Sequence, residues 1–327
     1  MSTSVSPGMA HAIVRLDPVS LRTKRLAMLT TNILPALGTA AAGYLLATGD
    51  FTPTDLWLFG GMYLVHGFGV TVGYHRYAAH KAFRSGPVFE AVMMITGSMG
   101  AQGPLVWWVA THRRHHRFSD REGDPHSPNL HGGSLTERMR GLWYAHMPWM
   151  LSDEESRWTV FTPDLLGNRR LMYYHRTYMY WLVVGLAVPG LIGYAVEGTV
   201  KAAVTGVLFG GLARVFLANQ ATWMVTSVCH AVGSRPFRTD DRSANNWPVA
   251  LLTLGEGLQN NHHAFPGSYR HGVTWFEPDP SGWLLALLGR LGVVTDLREP
   301  TKEQIARKRR RAAGPAAGPP AGTGRPV

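Results

Sequence analysis

The sequence predicts an all-α integral membrane protein, with four transmembrane helices in two hairpins and a cytoplasmic helical cap that holds metal through histidine. Three observations carry this. Four apolar stretches, 26–48, 55–73, 178–196 and 203–224, are long enough to span a bilayer, which takes about 20 mostly apolar residues. The links at 49–54 and 197–202 hold one basic residue, Lys201. Arg22, Lys24, Arg25, Arg76, Lys81, Arg84 and the RKRRR run lie on the other side. By the positive-inside rule both termini and the cap face the cytoplasm. Third, eight of the 15 histidines fall in clusters that punctuate the apolar stretches: His75 and His80 in HRYAAH, His112, His115 and His116 in HRRHH, His230 in SVCH, and His262 and His263 in QNNHH.

In chain order, residues 1–21 read as a polar leader with no clear period. Residues 22–80 form the first hairpin and end in HRYAAH. None of the apolar runs reads as a cleaved signal, because the first starts late and lacks a small-residue cleavage site. Residues 81–177 form a large cytoplasmic segment. Its apolar run at 88–110 must lie at the interface or half-buried, since a crossing there would put HRYAAH and HRRHH on opposite sides. Residues 178–224 form the second hairpin, and 225–300 return to the cap. The segment 281–295 is amphipathic and suits the membrane interface. From 301 to 327 the chain turns basic and then rich in Ala, Gly and Pro, a composition that predicts disorder. One domain, 22–300, fits better than two.

Neutral imidazole is the commonest metal ligand. Eight placed histidines, with no cysteine cluster and few nearby carboxylates, predict an all-nitrogen site for more than one ion. HRRHH alone would suit a basic solvated face equally well. Its order with HRYAAH and NNHH, spaced by membrane-length runs, favours metal. On a helix, positions three and four apart share a face, so His112, His115 and His116 point one way. His75 and His80 are five apart, a turn of roughly 140° at ~3.6 residues per turn, which predicts that they serve two neighbouring ions. Asp120, Glu122, Asp124, Asp240, Asp241 and Glu256 flank the clusters, and some should orient imidazoles. His66, His126, His131, His146, His175 and His271 have no partner spacing and read as non-ligands.

The composition narrows the class. Only 16% of residues are charged. A single cysteine, Cys229, rules out an internal disulfide framework and cysteine-held zinc or iron–sulfur sites, and it reads as a small buried hydrophobe. The net charge of +11 follows from topology and contact with anionic lipid rather than nucleic acid. No flavin, dinucleotide or haem fingerprint is present.

Four segments, TVGYHRYAAHKAF, THRRHHRFSDREGDPHSP, ATWMVTSVCHAVG and DDRSANNWPVALLTLGEGLQNNHHAFPGSYRHG, match a known pattern in order and separation. Over about 23–298 the chain resembles the membrane-bound fatty acyl desaturases of the acyl-CoA delta-9 type, bacterial-like. The resemblance implies a histidine-ligated di-iron site and O2 as co-substrate. It implies one iron on His75, His112, His116 and His263, and the other on His80, His115, His230 and His262. The family's ninth histidine is replaced by Gln259, which would be a weak or water-mediated ligand. Thr226 stands where animal enzymes have an asparagine that reaches iron through water. By the same resemblance Gln102, Trp108, Thr222 and Trp223 line the acyl tunnel, and Tyr63 and Gly67 lie at its floor. Arg113 and Arg114 lie between metal ligands and point to another face, where they would bind either a phosphate-bearing head group or a lipid phosphate.

Hydrogen removal from mid-chain has no acid–base route, so it needs an oxidant made from O2. Two electrons must come from a separate donor of ferredoxin, flavodoxin or cytochrome type with its reductase. The expected activity is desaturation of a long saturated acyl thioester, with a cis bond near carbon 9, in a bacterial plasma membrane. Hydroxylation or ketone formation on the same scaffold is the nearest alternative, and a metal transporter is the alternative from another class.

Overall fold

The computed structural model describes residues 11–309. Each of the four expected spans is a helix whose ends are set by local chemistry. Asp17 opens the first: its side chain accepts from the N–H groups of Val19 and Ser20, and Pro18 stands at the first helical position. The helix runs Pro18–Thr48 and stops at Gly49, whose φ of 74° lies in the left-handed region. A capping box of Thr52 and Asp55, with Pro53 between them, starts the second. The third span, Tyr178–Glu197, ends at Gly198, and Thr199 caps the fourth. The helices long and apolar enough to cross a membrane are Pro18–Thr48, Pro53–Ala79, Tyr178–Glu197 and Val200–His230.

All four are longer than the apolar runs alone. The second and fourth continue into the cap and deliver His75 and His230 there. They are also the inner pair: 39% and 50% of their apolar windows are buried, against 17% and 28% for the first and third. The third and fourth spans meet backbone to backbone, since a Cβ on Gly193 would lie 2.4 Å from the Ala202 carbonyl oxygen.

The inner spans are not α-helical throughout. Gly69–Ala79 and Val207–Ala213 are wound as π-helix. In the first of these the His80 N–H bonds the His75 carbonyl at 3.1 Å, an i to i+5 step. The Pro87–Ser98 helix packs closely on this segment, and a Cβ on Gly69 would fall 2.3 Å from the Gly97 nitrogen.

The run at 88–110 is two short helices, Pro87–Ser98 and Leu105–Phe118. Ala101 at φ 60° and Gly103 at φ 97° break the chain between them. Neither is long enough to cross, so HRYAAH and HRRHH stay on one side, as the metal reading required. The largest core lies here, with Tyr74, Met94, Leu105, Val106 and Val109 fully buried beside Leu285 of the Pro280–Arg290 helix. That helix leaves Trp283 and Leu287 exposed, with Leu291 exposed just past its end, the amphipathic face expected of 281–295. Val294–Thr295 pairs with Arg84–Ser85, one of two short antiparallel ribbons among the described residues.

Both expected boundaries move outward. The leader is structured from residue 11: Ile13–Arg15 pairs with Glu154–Ser156, and the first span begins at Pro18. The tail is ordered through Arg309, because a Thr301–Gln304 capping box starts a helix at Lys302–Lys308. Lys308 then reaches the Ala264 carbonyl at 2.7 Å. Residues 1–10 and the rest of the expected disordered tail lie outside the described residues.

Candidate metal centre

The eight histidines converge from four places in the chain into two abutting groups. His75, His80, His112, His116 and His262 form one, and His115, His230 and His263 form the other. Within each group the ligand atoms all lie within 4.8 Å of one another. In the first group His80 Nε2 is 2.7 Å from His112 Nε2. His262 Nε2 is 2.9 Å from His116 Nε2 and 3.1 Å from His75 Nε2.

This corrects the grouping that the family resemblance implied. His263 belongs with His115 and His230, while His80 and His262 belong with His75. Two local geometries explain it. The 140° separation of His75 and His80 assumes α-helical winding, whereas the π-wound segment brings residues five apart back onto one face, and their rings lie 4.9 Å apart. Adjacent helical residues, by contrast, diverge by about 100°. Each HH pair therefore places one imidazole in each group: His116 with His262, and His115 with His263. His115 does not point with His112 and His116 as a shared-face argument would have it.

Gln259 occupies the fourth side of the smaller group. Its Nε2 is 3.0 Å from His263 Nε2 and 3.5 Å from His230 Nε2. Gln259 and His263 are four apart on the Gln259–Ala264 helix and so share a face. The amide oxygen is buried without a partner among the described residues.

Four carboxylates hold the outer nitrogens. Asp124 meets His115 Nδ1 at 2.9 Å, Asp120 meets His230 Nδ1 at 2.9 Å, and Asp241 meets His263 Nδ1 at 2.7 Å. Glu256 bonds His75 Nδ1 and pairs with the fully buried Arg76, which also binds Asp279 at 2.8 Å. Each contact fixes a proton on Nδ1 and turns the Nε2 lone pair inward. Of the six acidic candidates, Glu122 and Asp240 hold no imidazole among the described residues.

Burial, followed by the neighbouring imidazoles, drives His112, His116 and His262 well below the ordinary histidine range, so they stand neutral with lone pairs available. Burial also lowers His263, to about 4. His115 is the exception: burial pulls it down, but the Asp124 carboxylate outweighs this and raises it. Burial pushes Asp124 up, yet His115 brings it to about 2.

Metal fits this donor set. Nitrogens each about 2.1 Å from one ion and at right angles would lie about 3 Å apart, close to the spacings observed. His115 Nε2 is buried without a partner among the described residues and belongs to the same close set as His230 and His263. Imidazole suits iron, and the carboxylates supply the outer hydrogen bonds that histidine ligands need. Two further histidines, invisible as pairs in the sequence, press on the groups. His271 lies 3.8 Å from Glu256 with its ring 4.5 Å from that of His262, and the His126 ring lies 4.4 Å from that of His115. Nothing in their local spacing marks them.

A cavity of about 800 Å³ runs from His75, His112, His115 and Gln259 down between the spans. Gln102, Trp108, Thr222 and Trp223 all line it. Gln102 bonds the Thr222 hydroxyl at 2.8 Å and accepts from Trp108 Nε1 at 3.3 Å, while Trp108 stacks on His112. Thr226 lines it too. Its hydroxyl donates to the carbonyls of Ala145 and Trp223, leaving only lone pairs for a water.

Tyr63 and Gly67 lie deeper in the same wall, with the Tyr63 hydroxyl on the Leu252 carbonyl at 2.8 Å. The space beside Gly67 is not open: a Cβ there would meet Leu254 Cδ1 at 2.7 Å. Arg114 is a second correction. It is buried, with Nε on the Gly123 carbonyl at 2.7 Å and a guanidinium nitrogen on Glu154 at 3.0 Å. It braces the cap and has no reach left for a head group. Arg113 is likewise held by Asp164 and the carbonyls of Ala78, Ala79 and Phe161.

Comparison with known proteins agrees with this architecture. Residues 55–280 match the family described as fatty acid desaturase. The chain belongs to the fatty acid desaturase family.

Among its relatives is a hex-5-enoyl-(acyl-carrier protein) acetylenase of Moorena producens (strain JHB), 39% identical over 88% of this chain and 90% of that protein. An sn-1 stearoyl-lipid 9-desaturase of Anabaena variabilis is 34% identical over 74% of this chain and 83% of that protein. An acyl-CoA C20 delta5-desaturase of Anemone leveillei is 34% identical over 79% and 78%. This desaturase is therefore an oxidoreductase that acts on the acyl chains of lipids or thioesters and a multi-pass membrane protein, with histidine clusters able to hold the family's iron.

Proposed function

We propose that this desaturase places a cis double bond near carbon 9 of a long saturated acyl thioester, using O2, two iron ions and two electrons from a separate donor protein. One observation carries the reading: two abutting imidazole groups wall one end of a cavity of about 800 Å³ that runs between the membrane spans. Iron held there would supply the oxidant for an unactivated C–H bond. The two electrons from the donor join the two from the substrate in reducing O2 to water.

The chain's own residues do the rest. The five-histidine group and the group of His115, His230, His263 and Gln259 would each hold one ion. The Gln102–Thr222 bond and the Trp108 ring fix the wall beside His112, so they position the chain against the histidines and keep bulk water away. The closed fold of the cap leaves the electron donor to approach from outside, and the cap is assigned to the cytoplasmic face of a bacterial plasma membrane. The acyl carrier is taken as coenzyme A.

Expression in a desaturase-deficient host, with bond positions read by mass spectrometry, tests the proposal. A monounsaturated product with its bond near carbon 9 is expected. A second reading, conversion of an existing double bond to a triple bond, is favoured by the 39% identity to an acetylenase. Acetylenic product from unsaturated chains, with saturated chains untouched, would replace the first reading with the second. Hydroxylated product alone would overturn both.

A further inference from the structure

His66 takes no part in either histidine group. It lies on the second span nine residues before His75, roughly two to three turns from the histidine groups. Its ring is 1% exposed and lines the acyl cavity, and neither Nδ1 nor Nε2 has a partner among the described residues. A neutral imidazole carries one N–H donor and one acceptor.

Donors on the cavity wall and in the fourth span are spent on backbone carbonyls. The Tyr63 hydroxyl donates to Leu252, and the Asn32 amide to Met28 at 2.6 Å. Arg214, buried in the fourth span, binds the carbonyls of Met99, Gly185 and Gly210. His66 must therefore find its partner inside the cavity. Gly67, Val70 and Leu254 line the same wall, and the methyl end of a saturated chain offers neither donor nor acceptor.

We propose that His66 is a polar stop in the wall of the acyl cavity, beside Gly67 and one turn from Tyr63. A water on its imidazole limits how deeply a saturated chain can enter. A chain whose far end carries a hydroxyl takes the place of that water and is accepted. This rests on the reading that the cavity holds the acyl chain. The physical basis is an asymmetry. Pushing an alkyl end onto His66 strips a buried donor and acceptor of their only partner, which costs a factor of roughly ten or more in binding. A hydroxyl end restores the bond.

The test uses the full chain in nanodiscs, as wild type, His66→Leu and His66→Asn. A graded series of saturated acyl-CoAs and their ω-hydroxy counterparts displaces a fluorescent acyl probe, and chain lengths of desaturated product are read in parallel. Wild type should favour the ω-hydroxy form of the longest chains about tenfold over the methyl form. His66→Leu should lose that ratio and bind chains about two carbons longer about tenfold better, while His66→Asn keeps the wild-type order. An unchanged length profile and ratio in His66→Leu that still binds short chains normally would overturn the proposal. So would a wild type indifferent to the hydroxyl, a result that does not depend on any variant folding. A wild type that binds no acyl chain would overturn the cavity reading and this inference together. One that binds chains but makes no unsaturated product would overturn only the reaction.

Discussion

Replacing Gln259 with leucine should strip metal from one group and leave the other loaded. The amide stands 3.0 Å from His263 Nε2 and 3.5 Å from His230 Nε2, the position a fourth ligand would take. Loss of an outer hydrogen-bond partner of a ligand typically costs ten- to a hundredfold in metal affinity. Gln259 touches the ligand nitrogens directly, so that range, about 1.4–2.8 kcal/mol at ~1.4 kcal/mol per decade, is a lower bound. Purified protein with about two irons should fall to about one after mild chelation, the remaining ion held by the five-histidine group. Gln259→His should do the opposite. Glutamine and histidine both place their ε2 nitrogen four bonds beyond Cα, so the imidazole reaches the same point as a stronger donor. Elemental analysis against a chelator series reads both variants. Equal iron content and equal chelator resistance in wild type and Gln259→Leu would refute the assignment of the amide to the smaller group.

Other substitutions probe the surrounding shell. Asp124→Asn removes the charge that holds His115 Nδ1, so iron should leave the smaller group first, with chelator affinity down about tenfold or more by the same titration. Gly67→Phe should shift product toward shorter chains. Because Leu254 already fills the space beside Gly67, it should also lower stability by about 1–3 kcal/mol, and Leu254→Ala should partly restore it; an unchanged length profile in a folded, active protein rejects the tunnel wall there.

Asp164 supplies a pH dependence. Burial would raise it, but Arg113 and Lys81 overcome this and bring it to about 2 from an ordinary 3.8. Its contribution to stability is complete above pH 3.8 and disappears as pH falls toward about 2. Asp164→Asn should melt lower at neutral pH and show less further loss across that acid window; parallel melting curves would count against the pairing.

Much of this protein is legible from local pattern. Bilayer length and basic asymmetry marked the four helices, because the cost of burying unpaired backbone in lipid leaves little choice of structure. The eight histidines stood out because their spacing broke otherwise apolar runs. Of the carboxylates that orient them, only Asp124 holds a histidine close by in sequence, His115; Asp120, Asp241 and Glu256 hold His230, His263 and His75, pairings that the fold decides. Where local pattern assumed regular winding, it failed. His75 and His80 come onto one face because Gly69–Ala79 is π-wound where it packs closely on Pro87–Ser98, which no five-residue spacing records.

The division of the histidines into five and three depended on four helix ends meeting at one depth. Each HH pair diverges by a helical step, and which neighbour each ring then meets is decided by segments more than a hundred residues apart, as in the contact of His116 with His262. The same holds for groups whose role is set by what they lack. Arg114 looked available for a head group until Glu154 and Gly123 closed around it, and His66 looked ordinary until the fold buried both its nitrogens against a cavity. Burial and partner count are properties of packing, so they exist only once the distant parts of the chain have come together.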